Sequence, residues 1–210
     1  MSKRRLFIVG AGGFGREMEM HLSAIDESAR QWQLAGFIDD NPEILTGYES
    51  DYSVVGNTHD FAFDKNDIAL LAIATPTIKK AVFERLQSRV EFFTFISATA
   101  IISKFARIGR GCIMGPNTVI GPNVTFGDGV FLNTGSVVGH DVTVGSYTSF
   151  MANNNIAGGC TIGEEVYFAS SVTMIPNRKI CSGALIGAGS VVVRNVTRKQ
   201  TVFGNPAKYL

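Results

Sequence analysis

The chain has 210 residues, 45% of them hydrophobic, and its 19 Lys and Arg nearly balance 18 Asp and Glu. That length holds one large domain or two modest ones, with ample apolar material for a core. The charge balance provides no overall field toward nucleic acid or an anionic membrane, and no segment approaches the roughly 18 apolar residues of a membrane span.

The first element expected is a strand over Leu6–Val9, with Lys3, Arg4 and Arg5 as its solvated entrance. Glycines, Arg16 and Glu17 interrupt the apolar run after four residues, unlike a signal peptide, so a cytoplasmic protein is expected. Gly10-Ala11-Gly12-Gly13-Phe14-Gly15 follows, a G-x-G-x-x-G between this strand and a helix over residues 16–24. In that setting glycines let the backbone and a helix amino terminus approach a phosphate, which makes Gly10, Gly12 and Gly13 candidate ligand contacts. The plainer reading is a tight strand-to-helix turn. A second strand over 34–38 delivers Asp39 and Asp40 at its carboxyl end, where an acidic residue usually meets a ribose hydroxyl or base edge. A buried strand over 68–74, a turn at Thr75-Pro76 and a helix over 78–89 come next, the helix with apolar spacing at Ile78, Ala81, Val82 and Leu86. Thr75 is a further candidate substrate contact, and a strand over 92–96 completes the sheet. About 95 residues leave room for one βαβαβ half of a dinucleotide fold. This favours a mononucleotide diphosphate, such as a nucleotide-linked sugar, over NAD.

From Ile96 to Val191 the chain falls into sixteen consecutive six-residue units, each beginning with an apolar residue. A glycine often follows, and the fifth position is mostly small or β-branched. No helix has this period; it marks a β-helix, in which each unit is a short strand and a turn and coils stack to bury the apolar residue. Cys112 and Cys160 fall on inward fifth positions and, with Cys181, read as packing residues in a reducing compartment. Asn154 and Arg178 also fall on inward positions; the first is expected to find internal partners, the second to mark a bulged turn. Residues 1–95 and 96–210 are therefore expected to form two domains.

A small nucleotide-type domain followed by hexapeptide repeats resembles the bacterial sugar acetyltransferases that modify nucleotide-linked amino sugars, a family that also contains sialic acid O-acetyltransferases. The resemblance rests on Ile8–Glu17, Gly36–Asp40, Asn133–Asp141 and Phe203–Lys208. It implies a left-handed parallel β-helix, a homotrimer, and acetyl coenzyme A lying between adjacent helices. It also implies an acetyl-CoA-binding role for residues 96–210 and a nucleotide-sugar-binding role for residues 1–95.

His140 is the only histidine within the repeats and occupies the third, outward position of its hexad. Acetyl transfer to an amine asks for removal of a proton from nitrogen, which neutral imidazole suits, and Asp141 could orient the ring. A zinc-dependent carbonic anhydrase on a similar β-helix needs three histidines on the metal, so no metal centre is expected. For the coenzyme the resemblance points to Ser149, Gly158, Ser170, Gly187 and Ala188, where small residues would admit the pantetheine arm; the glycines also suit plain hexad turns. The leading reading is N-acetylation of a nucleotide-linked amino-deoxysugar for bacterial surface glycan synthesis; the alternatives are O-acetylation of sialic acid or another sugar, and a noncatalytic nucleotide-sugar-binding scaffold.

Overall fold

The computed structural model describes residues 3–210. They cluster into two compact units, one running to Ala74 and including Ala81–Phe93, the other formed by Thr75–Lys80 and Thr94–Leu210.

The first unit is a parallel sheet built on β1 (Arg4–Val9), whose last four residues are all buried, as expected for a strand covered on both faces. It is followed by α1 (Gly13–Ser23), β2 (Trp32–Ile38), β3 (Val54–Gly56), β4 (Ile68–Leu71), α2 (Pro76–Leu86) and β5 (Glu91–Phe92). The strand order is β3-β2-β1-β4-β5, so the connection reverses direction beside β1. The carboxyl end of that strand is a topological switch point, the place where open α/β sheets bind ligands. No helix among the described residues is long and apolar enough to cross a membrane.

Two expectations change here. The single strand over 92–96 is two: the Phe93 N–H donates to Ala69 O at 2.8 Å, whereas the Phe95 N–H donates to Cys112 O at 2.9 Å. Thr94 is the residue at which the backbone changes ladders, and β6 (Phe95–Ile96) belongs to the β-helix. In α2 the expected residues Val82 and Leu86 are buried, but Ile78 and Ala81 are not. Ile78 is 54% exposed, while Lys79 and Phe83 are buried, the latter stacked on Phe92 with ring centroids 4.2 Å apart.

The second unit is a left-handed parallel β-helix of two-residue strands on three sheets. Each strand pairs with the one eighteen residues further on, as Val119 with Val137 and Val137 with Asn155. First and fifth hexad residues fill the interior, and successive coils stack like on like: the Phe150 and Phe168 rings lie 4.4 Å apart and nearly parallel. A fully buried aliphatic or aromatic side chain contributes ~1.5–3 kcal/mol. Ordering six backbone residues costs roughly 6–12 kcal/mol. A lone hexad therefore cannot hold itself, and the repeat is stable only as a stack.

Every sixth residue from Gly111 to Gly189 has positive φ, fourteen corners in succession. Gly, Asn or Asp occupies most of them, because these residues reach the left-handed region at least cost. Asp141 is one, with φ of 58°.

Asn154 is 1% exposed and fully partnered: its amide donates to Met151 O, and its Oδ1 accepts from the Val172 N–H at 3.1 Å. Arg178 departs from expectation. The ladder passes it without a bulge, pairing Thr161 with Lys179, and the half-buried side chain turns back to donate from Nε to Pro176 O. A cation too costly to bury is thus turned out of the core with the register intact. Beyond the last hexads, Asn205-Pro206 is a cis peptide in the turn between strands Thr201–Phe203 and Lys208–Tyr209.

Lys79 is 1% exposed; its Nζ donates to Ser149 Oγ at 2.7 Å and Thr148 O at 3.2 Å. Burial disfavours its charged form and pushes its pKa from the ordinary 10.5 down to about 7, only partly offset by Cys112. Between those values the unfolded chain holds a proton that the native chain lacks, so stability rises with pH across that window. We expect denaturant unfolding at pH 7, 8 and 9 to show wild-type stability increasing relative to Lys79→Met, which lacks the titrating group. Parallel pH profiles for the two proteins would show that the amine does not titrate differently on folding.

Candidate functional site

The glycine loop sits at the carboxyl end of β1, and its three motif glycines have different physical reasons to be there. Gly10 has φ of +97°, and a Cβ on it would lie 2.9 Å from Ala72 O. A Cβ on Gly15 would lie 2.0 Å from Gly10 O, so only glycine lets α1 pack this closely on the loop. Both are demanded by the fold. Gly12 is not: its φ is −67° and a Cβ there would meet nothing within 4 Å. Gly13 is nearly as open, with only Arg16 Nη2 at 3.9 Å. Gly12 is also the N-cap of α1, which has no side-chain cap and no acidic residue in its first turn. An uncapped helix start beside open space favours an anion.

The two aspartates after β2 do separate work. Asp39 Oδ2 accepts from the Ala11 N–H at 2.8 Å, and Oδ1 from the Asn41 N–H at 2.9 Å, so this carboxylate braces the glycine loop. Asp40 accepts from the Thr58 N–H and Thr58 Oγ1, both at 2.8 Å, with Arg85 and His59 nitrogens each 3.5 Å away. Partial burial alone would raise its pKa, but the Thr58 hydrogen bonds, His59 and Arg85 outweigh that and hold it below the usual carboxylate range. As a substrate contact Asp40 therefore starts at a disadvantage, since its acceptor capacity already serves the fold. Thr75 is exposed just before Pro76 at the start of α2, its carbonyl accepting from the Lys79 N–H.

On the β-helix, His140 and Asp141 meet as expected. Asp141 Oδ2 lies 2.7 Å from His140 Nδ1, and both side chains are exposed, at 67% and 55% for His140 and Asp141. Asp141 Oδ1 accepts from Asn123 Nδ2 at 2.9 Å. The Asn123 and His140 hydrogen bonds hold the Asp141 carboxyl below its ordinary pKa. An ionised carboxylate can only accept, so the facing Nδ1 carries a proton, and in the neutral ring the lone pair is then on Nε2. The imidazole lies over Gly158 on the next coil, where a Cβ would come within 2.5 Å of Nε2. With the ring held on Asp141, a side chain at Gly158 would have to displace the imidazole.

The expected coenzyme contacts scatter. Ser149 is wholly buried and accepts from Lys79, so it presents no surface to a ligand; this is a correction, imposed by the buried amine that needs an acceptor. Ser170 and Ala188 are exposed and stacked eighteen residues apart on a different corner of the β-helix from His140. Gly187 lies against Phe203, whose ring edge would be 2.4 Å from a Cβ there. Asn123 and Lys79 went unread in the sequence. Asn123 lies seventeen residues before His140, a separation meaningful only once coils stack; its fixed place in the hexad, shared with Asp141, was the available signal.

Burial pushes the Cys112 thiol up to about 12, which makes it an inert core residue. Among the described residues no group of three His, Cys, Asp or Glu side chains is placed to hold a metal ion.

Residues 5–86 match the PglD N-terminal domain. Comparison with curated proteins gives no match. Among solved structures, the acetyltransferase domain of PglB from Neisseria gonorrhoeae is similar over 99% of this chain and 100% of its own, with 25% identity and a TM-score of 0.89; it has also been solved with acetyl coenzyme A. WeeI from Acinetobacter baumannii is similar over 99% and 100%, with 26% identity and a TM-score of 0.85. PerB from Caulobacter crescentus, solved with CoA and GDP-perosamine, shares the fold at 24% identity and a TM-score of 0.85, over 98% of this chain and 96% of its own.

The unequal constraints on the glycines give a direct test. Gly15→Ala should destabilise the protein by about 1–3 kcal/mol through overpacking. Gly12→Ala should stay within about 1 kcal/mol of wild type, since nothing opposes the methyl group and only the N-cap preference changes. Urea unfolding of both variants reads the difference; equal losses would mean that Gly12 too is fixed by packing.

Proposed function

We propose, from the match of residues 5–86 to the PglD N-terminal domain, that the chain transfers acetyl from acetyl coenzyme A to the amino group of a nucleotide-linked amino sugar. The observation that carries this reading is a carboxylate-fixed histidine on a β-helix, in a chain similar along its whole length to the acetyltransferase domain of PglB. The acceptor class follows from Gly12: a glycine with no packing reason, at an uncapped helix start on a switch point, suits close approach of a diphosphate. The product belongs to surface glycan synthesis.

In the reaction His140 Nε2 takes the proton of the attacking amine as nitrogen bonds to the thioester carbon. The carbon–sulfur bond then breaks, and the proton passes to the leaving thiolate, so coenzyme A departs as the free thiol. The imidazolium formed between these steps is stabilised by Asp141, which remains an anion. The Gly158 main chain beside the ring is suited to the thioester, and Ser170, Gly187 and Ala188 to the rest of the coenzyme. Gly10, Gly12, Gly13, Asp39, Asp40 and Thr75 are assigned to the nucleotide sugar, Asp39 through its hold on the loop.

The active form is a homotrimer, supported by the exposed apolar side chains Ile101, Phe105, Val137, Leu185 and Phe203 on the β-helix. Both substrates are cytoplasmic compounds, and three unpaired cysteines suit that compartment. Light scattering at micromolar concentration should give three times the 22.6 kDa chain mass; a fully active monomer would remove the intersubunit coenzyme site.

Replacing Gly12 with a bulkier residue should weaken nucleotide-sugar binding in calorimetry and leave acetyl coenzyme A affinity nearly unchanged. The opposite pattern would reverse the assignment of the two substrates. For His140→Ala we expect kcat to fall about 10² to 10⁴-fold near neutral pH with both affinities largely kept, as for loss of a general base. Rising pH should partly restore it, because more amine arrives unprotonated. Coenzyme A release assayed with nucleotide amino sugars, free sialic acids and no acceptor separates N-acetylation from O-acetylation and from binding alone. Undiminished turnover by the purified His140→Ala protein, with chemistry rate-limiting, would remove the base.

A further inference from the structure

The histidine and its carboxylate do not form a closed pair. Asp141 has two oxygens, and each has its own partner: Oδ2 faces His140 Nδ1 at 2.7 Å, and Oδ1 accepts from Asn123 Nδ2 at 2.9 Å. Asn123 comes from the preceding coil, eighteen residues before Asp141, and the two occupy equivalent corners with φ of 60° and 58°. An aspartate on an open corner could turn its carboxylate away from the ring by rotating about χ1 and χ2; a donor fixed one coil away limits that freedom by holding the second oxygen. Asn123 is itself exposed and borders a cleft of about 410 Å³ with Lys104, Phe105, Arg107 and Thr125. The core does not need its side chain.

We propose that Asn123 is a positioning residue for acetyl transfer: by anchoring Asp141 Oδ1 it keeps Oδ2 on His140 Nδ1, and so keeps Nε2 as the unprotonated nitrogen facing the acceptor amine. The chain Asn123–Asp141–His140 links two coils, with Gly158 on a third as the floor beneath the ring. This inference rests on the reading of His140 as the base. Its spectroscopic test does not need turnover, so the two can fail separately.

The cleanest deletion is Asn123→Gly, because glycine accepts the positive φ of this corner and removes only the amide. We expect kcat to drop about tenfold, by analogy with the loss of an outer partner of a metal-bound histidine, with KM for both substrates within about twofold of wild type. Nitrogen-15 NMR of the imidazole in the intact protein should show a single Nδ1–H tautomer for His140 in wild type and a mixture in the variant. Asn123→Asp adds a readout that a structural role would not move. When protonated, its carboxyl donates to Asp141 as the amide does; when ionised, it repels Asp141. Its turnover relative to wild type should therefore fall as pH rises from about 5.5 to 8. A folded Asn123→Gly protein with wild-type kcat would overturn the proposal. So would an unchanged His140 tautomer together with a pH-independent activity ratio for Asn123→Asp. If the tautomer shifts as expected but His140→Ala is fully active, the positioning contact stands and the base assignment falls.

Discussion

Each hexad strand of the β-helix is only two residues long and finds its partner eighteen residues away along the regular coils, so that no coil is stable without its neighbours. The interior first and fifth positions, the left-handed fourth positions and the exposed third positions all follow from holding that register. Side chains far apart in sequence become lateral neighbours whenever they share a phase. Asn123, Asp141 and Gly159 form one such column, and His140 and Gly158 stand in the column beside it.

The two units solve the problem of a ligand-facing backbone differently. In the α/β unit a single loop departs from regular structure, and its glycines divide the labour: Gly10 and Gly15 allow the turn and the packing, while Gly12 leaves space. In the β-helix no departure is needed. The corners already expose backbone and side chain, and His140 stands on an ordinary third position with a glycine of the next coil beneath its ring. Function is thus grafted on a uniform scaffold by the choice of a few side chains.

The hexad phase, the glycine loop and the adjacency of His140 and Asp141 were legible because each rests on local spacing or strict period. The left-handed corners went unread, although Gly, Asn or Asp stands at eleven of the fourteen positions, because Tyr147, Glu165 and Ser171 interrupt the pattern. Lys79 could not be read. Beside Lys80 it looks like half of a solvated pair, and only the helix phase set by packing takes it inside, to the oxygens of Thr148 and Ser149. The misplaced role of Ser149 has the same origin, since a buried amine sixty-nine to seventy residues away leaves no trace in a hexad. The strand that divides at Thr94 illustrates a third limit. An apolar run shows that a segment is extended, but not which sheet it joins.

The unbroken phase also makes the chain an angular scale, with a tolerance for length change that depends on the number of residues inserted or lost. Six residues added upstream of His140 would carry every later side chain on by one face, a third of a turn, and would leave the interior filled while turning the histidine to another face. Eighteen would restore its direction one storey higher. Length changes by whole coils therefore preserve the facing of every side chain, whereas slips of one or two hexads keep the core filled and turn all later faces.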